Sequence, residues 1–101
     1  MNFGLTTKNI IKINKIFTLH NEIEQVILYG SRAMGNYHRG SDIDLTIKGQ
    51  NLNFSKLLKI ETELDDLLLP YKIDLSLFEM IENPALISHI QRVGAVFYNH
   101  F

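Results

Sequence analysis

Apolar residues along the chain follow two rhythms, one near four residues and one of two. From Thr7 to His20, Ile10, Ile13, Ile16, Phe17 and Leu19 recur at helical spacing, and Thr6 or Thr7 is placed to cap the first turn. "EQVILYG" is a short apolar run closed by Gly30, the pattern of a buried strand. "DIDLTIKG" alternates strictly, with Ile43, Leu45 and Ile47 on one side and Asp42, Asp44 and Thr46 on the other. "NFSKLLKIETELDDLLLP" predicts a second helix capped near Asn53 and stopped by Pro70. Its apolar face is assigned to Phe54, Leu57, Leu58, Leu64, Leu67 and Leu68. "YKIDLSLF" alternates again, setting Ile73, Leu75 and Leu77 against Asp74 and Ser76. Asn83-Pro84 reads as cap and first residue of a last helix carrying Leu86, Ile90, Val93 and Phe97.

The expected order is therefore helix, strand, short turn, strand, helix, strand, helix. That order implies an α/β fold of the two-layer α+β kind: a small mixed β-sheet with helices packed on one face. The 101 residues suit a single domain, 1–101, with one modest core. No repeat or low-complexity linker divides them.

Composition narrows the function classes. Ten Lys+Arg against 11 Asp+Glu leave a formal net charge of −1. A protein that grips long nucleic acid by neutralising many phosphates needs a basic excess, so no such partner is expected. Charge this close to neutral keeps a protein poorly soluble, which points to a surface covered by a partner. Without cysteine there is no disulfide and no thiolate metal site, which suits a cytoplasmic location. The first residues mix lysines into their apolar pattern, unlike a leader, and no apolar run approaches the roughly 20 residues that span a bilayer.

The chemistry lies in "YGSRAMGNYHRGSDIDL". Asp42 and Asp44, two apart on a strand, project from one face, and Asp74 holds an equivalent place on another strand. Were those strands adjacent, the carboxylates would stand about 5 Å apart, and each pair would cost roughly 3 kcal/mol at an effective dielectric of about 20. Taken singly, each aspartate reads as a solvated strand residue paired with Lys48, Lys72 or Arg39. The turn upstream changes that balance. Gly30-Ser31 closes a strand, and Ser31-Arg32-Ala33 can open a helical turn whose free backbone N–H groups attract an anion. Ser31 adds a hydroxyl and Arg32 a positive charge. A phosphate cradle beside hard carboxylate oxygens is what a nucleoside triphosphate bound with Mg²⁺ or Mn²⁺ requires.

Gly30-Ser31, ten intervening residues and Asp42-Ile43-Asp44 resemble the signature of the nucleotidyltransferase superfamily that includes DNA polymerase β. The longer "GSRAMGNYHRGSDIDL", with "KIDLS" downstream, is similar to the minimal nucleotidyltransferase (MNT) group. The resemblance implies the nucleotidyltransferase fold, with Gly30, Ser31 and Arg32 on the triphosphate of ATP or another NTP. It further implies that Asp42, Asp44 and Asp74 are the catalytic, metal-binding carboxylates of a two-metal mechanism, Asp42 and Asp44 binding two Mg²⁺ ions and Asp74 the one that activates the acceptor hydroxyl, with Asp74 also a candidate proton acceptor. The implied reaction transfers a nucleoside monophosphate, AMP from ATP, to a hydroxyl acceptor. Members of the group work with a small helical HEPN-type partner, so the alternative is an antitoxin that neutralises such a partner by binding or adenylylation. An inactive nucleotide sensor would lack a carboxylate, and none is missing here. Met34 departs from relatives that carry a basic residue there, leaving Arg32, Arg39 and His38 near the phosphates.

Other signals are weaker. His20, His38, His89 and His100 have no metal-ligand spacing. "GSRAMG" lacks the lysine and hydroxyl of a P-loop. Glu61, Glu63, Asp65 and Asp66 form the wet side of the second helix, and the aromatic tail "VGAVFYNHF" reads as core packing.

Overall fold

Thr6, Asn53 and Asn83 each start a helix by offering a side-chain oxygen to a backbone N–H of the first turn, at 3.1, 2.8 and 2.9 Å respectively. The computed structural model describes residues 2–100. In chain order the elements are α1 (Thr7–Thr18), β1 (Ile23–Tyr29), α2 (Ser31–Met34), β2 (Ile43–Gly49), α3 (Phe54–Asp65), β3 (Ile73–Leu77), a 3₁₀ turn (Phe78–Met80), α4 (Pro84–Val93) and β4 (Ala95–Asn99). The sheet is mixed, in the order β3-β2-β1-β4. β1 pairs antiparallel with β2 and β4, whereas β3 runs parallel to β2.

Alternation along β1 divides the interior in two. Val26 and Leu28 face the main core, which α1 fills with Ile13 and Phe17 and α3 with Leu57, Ile60 and Leu64. Ile27 and Tyr29 point to the reverse face, where Ile90 and Leu86 of α4 cover them. The two long helices thus share one face of the sheet, whereas the shorter α4 lies on the other, a correction to the expectation that the helices pack on one face.

Three parts of the expected pattern differ. α1 ends at Thr18, so Leu19 caps it from outside and is exposed, while Ile10 and Ile16 are only half-buried. α3 ends at Asp65, well before Pro70, and the chain then kinks at Leu68, which has φ 55°. Its buried stripe is Leu57, Ile60 and Leu64; Phe54, Leu58 and Leu68 face solvent. The third difference is a whole element. Gly94 closes α4 in an extended conformation, and Ala95–Asn99 form β4 rather than continuing the helix. Val96, Phe97 and Tyr98 are β-favouring residues, and β1 offers them an open edge. The register slips between Val26 and Ile27: Tyr98 opposes Val26 and Val96 opposes Ile27, leaving Phe97 as a bulge. The slip lets both Phe97 and Tyr98 enter the main core, where Tyr98 meets the ring of Phe17 at 5.7 Å.

Candidate active site

The strand register sets out the site. Tyr29 of β1 opposes Asp44 of β2, and Asp44 opposes Asp74 of β3, so the three side chains form a row across the sheet. This is the face that α4 covers. Asp42 precedes β2 by one residue, at the mouth of the strand, and is exposed, as is Asp74; Asp44 is half-buried.

Gly30 links β1 to α2 at the end of that row. Its φ of 77° lies in the left-handed region, and a Cβ there would collide with Oδ2 of Asp44. A glycine is required twice over, for the backbone angle and for the approach of the carboxylate. Ser31 then opens α2, whose first N–H groups have no partner one turn earlier. The turn and Asp44 are in van der Waals contact.

No salt bridge among the described residues reaches the three carboxylates. Among the described residues, the ion pairs are His20–Glu63 and Lys56–Glu22, and neither involves Asp42, Asp44 or Asp74. Lys48, one candidate partner, instead holds its ammonium 4.6 Å above the ring of Phe78. Burial, and then the charges of Asp74 and Asp42, raise the Asp44 carboxyl above its ordinary range, against a smaller opposing pull from His89. Burial also raises the Tyr29 phenol; a hydrogen bond with Ser76 opposes this, and Asp74 and Asp44 add to it. The Ser76 hydroxyl in turn donates to Thr46 Oγ1 at 2.9 Å, so a short hydroxyl chain runs beneath the row.

The three aspartates do not close into a finished cage. Among the described residues, no group of three or more His, Asp or Glu side chains is gathered so as to hold a metal unaided. The donor chemistry nonetheless fits a hard divalent cation. Mg²⁺ usually takes one or two protein carboxylates and completes its shell with phosphate and water oxygens. Paired carboxylates outside any ion pair supply that minimum.

Arg32 is a correction. It was expected on the triphosphate, yet its side chain is 1% exposed and turned away from solvent. Nη1 donates to the carbonyl of Phe3 at 3.0 Å, and Nε and Nη2 donate to that of Ser41 at 3.2 and 2.9 Å. Its guanidinium lies between the rings of Tyr37 and Tyr71, at 5.2 and 5.0 Å. Planar, permanently charged and weakly hydrated, arginine suits such a buried position. Arg32 therefore braces the loop that delivers Asp42, and His38 and Arg39 remain as exposed basic side chains on that loop.

The sequence reading also missed His89. It lies on α4 with its Nε2 accepting the Gly30 N–H at 3.1 Å and its ring edge-on to Tyr29, centroids 6.1 Å apart. Its spacing carried the signal: Leu86, His89, Ile90 and Val93 form one helical stripe, so the histidine points toward the sheet.

Residues 11–100 match the family described as polymerase beta, nucleotidyltransferase. The chain belongs to that nucleotidyltransferase family. Its fold is shared with solved structures of low sequence identity. One is a chain of a toxin–antitoxin complex with AMP-PNP, 22% identical with a TM-score of 0.72, covering 94% of this chain and 74% of that one. Another, from the MntA–HepT toxin–antitoxin, is 18% identical with a TM-score of 0.68, covering 93% and 73%. A third comes from the tri-AMPylated Shewanella oneidensis HEPN toxin in complex with MNT antitoxin, 18% identical with a TM-score of 0.63, covering 90% and 72%. No curated protein matches the chain. No helix among the described residues is long and apolar enough to cross a membrane.

Two outcomes follow from this geometry. An acid whose pKa is raised by folding subtracts from stability while ionised and stops doing so as the pH falls through the raised value. In EDTA, Asp44→Asn will therefore melt at or above wild type at pH 7. That advantage will shrink as the pH falls toward 3.8, the ordinary aspartate value. A variant that melts clearly lower at pH 7 would make Asp44 a structural residue. Arg32→Leu removes charged hydrogen bonds from buried carbonyls and will destabilise the fold by on the order of 2–4 kcal/mol in urea. An unchanged midpoint would return Arg32 to the solvent side.

Proposed function

We propose that this nucleotidyltransferase, acting as one minimal catalytic domain over residues 1–101, moves AMP from ATP to a hydroxyl acceptor on a helical HEPN-type partner. The observation that carries the proposal is the in-register pair Asp44 and Asp74, with Asp44 against Gly30 and neither carboxylate in an ion pair among the described residues. Sites of this composition suit a metal-bound triphosphate, whose cation and phosphates supply the charges each side lacks.

In this reading Asp42 and Asp44 would hold Mg²⁺ or Mn²⁺, and Asp74 would complete the site on the acceptor side. When bound, the cation would lower the charge on the phosphates and favour the alkoxide form of the acceptor. Gly30 and Ser31 present the turn to the triphosphate, the glycine by leaving room and the serine by donating its hydroxyl. The acceptor oxygen bonds to the α-phosphorus as the bond to the β-phosphate oxygen breaks, and pyrophosphate departs. Asp74, exposed at the outer end of the row, takes the hydroxyl proton.

Two neighbouring structures support the choice of nucleotide and partner: a toxin–antitoxin complex with AMP-PNP, and an AMPylated HEPN toxin with its MNT antitoxin. They equally favour a second reading, in which complex formation alone silences the partner. The two readings part on one measurement. Incubated with α-labelled ATP, Mg²⁺ and a co-expressed HEPN-type protein, the wild-type chain will label that protein, and Asp44→Asn will label it at least 100-fold less. Equal labelling by both would remove the transferase assignment. A stable complex with no labelling by wild type would leave the binding reading.

A further inference from the structure

The geometry points to His89 as a positioning residue that locks the Gly30–Ser31 turn against Asp44. This rests on the reading that the turn receives the triphosphate, and adds to it a residue from a distant part of the chain. Fifty-nine positions separate His89 from Gly30, yet its Nε2 accepts the Gly30 N–H at 3.1 Å. The bond defines the ring: Nε2 is the acceptor, so the proton of the neutral imidazole is on Nδ1. Tyr29, the residue just before the turn, packs edge-on against the same ring. α4 itself is anchored by Ile90, 3% exposed, over Ile27 and Tyr29.

These contacts converge on Gly30, whereas the rest of α2 is held through the buried Arg32. Gly30 has a left-handed backbone that its own sequence does not favour over others, and it has no side chain to pack. α2 is four residues long, too short to be stable by itself. A hydrogen bond from a rigid helix on the covering face therefore decides where the turn sits relative to Asp44. A displacement of about 1 Å at such a place costs up to roughly 100-fold in reactivity, because turn and carboxylate must meet one ligand together. His89 touches neither acceptor nor phosphate in this role; it acts through Gly30.

Glutamine and leucine separate this role from simple packing. Glutamine extends an oxygen to about the place of Nε2 and can accept the same N–H, while leucine fills the space without an acceptor. Amide hydrogen exchange on the full chain reads the bond directly, without nucleotide. Gly30 will exchange slowly in wild type and in His89→Gln, and at least tenfold faster in His89→Leu, with similar melting temperatures for the two variants. Calorimetric titration with AMP-PNP and Mg²⁺ reads the consequence: His89→Leu will bind at least tenfold more weakly than wild type, and His89→Gln within about threefold. Equal Gly30 exchange in all three proteins overturns the inference, as does wild-type affinity in His89→Leu. Absence of binding by wild type would instead strike at the triphosphate reading, and Gly30 exchange would still judge His89.

Discussion

A carboxylate pressed against a bare stretch of backbone is the constraint around which this molecule is arranged. Asp44 reaches the turn only because Gly30 has no Cβ, and it faces Asp74 only because β2 and β3 run parallel and in register. Moving either strand by one residue would send one of the two carboxyls into the main core and an isoleucine or leucine into the site. The hydrophobic alternation of both strands thus guards the chemistry as well as the core. Ile43, Leu45 and Ile47 are all but fully buried, and their burial keeps the aspartates outward.

Charge is handled differently on the two sides of the motif. Among the described residues the carboxylates make no ion pair, and Arg32 of the motif is withdrawn into the interior. Arg32 joins the N-terminal segment at Phe3, the loop at Ser41 and the approach to β3 at Tyr71. An arginine among backbone carbonyls and aromatic rings holds a loop in place while contributing no counter-ion to the aspartates.

The residues that were legible in the sequence are those whose role follows from periodicity. Alternation placed Asp44 and Asp74 on strand faces, and the parallel pairing of their strands put them side by side. Capping chemistry put the starts of α1, α3 and α4 at Thr6 or Thr7, near Asn53 and at Asn83, and the caps are Thr6, Asn53 and Asn83. What escaped the sequence depends on tertiary partners. Arg32 looked like a phosphate ligand because nothing local reveals that Phe3, Tyr37, Ser41 and Tyr71 enclose it. β4 looked like the end of a helix because its pairing with β1 is non-local and its bulge at Phe97 breaks the alternation. His89 stands out in the sequence only by lacking metal-ligand spacing, since its meaning depends on a glycine far away in the chain.

The account stands on the claim that one divalent cation is shared by Asp44, its neighbouring carboxylates and a phosphate lodged at the Gly30–Ser31 turn. Manganese in the presence of AMP-PNP tests that claim most directly, because its unpaired electrons broaden the NMR signals of nearby nuclei. Substoichiometric Mn²⁺ will bleach Gly30, Ser31, Asp42, Asp44 and Asp74 first, and will spare Glu61, Glu63, Asp65 and Asp66 around the end of α3. Bleaching centred on that acidic end of α3, or spread evenly over the surface carboxylates, would contradict it.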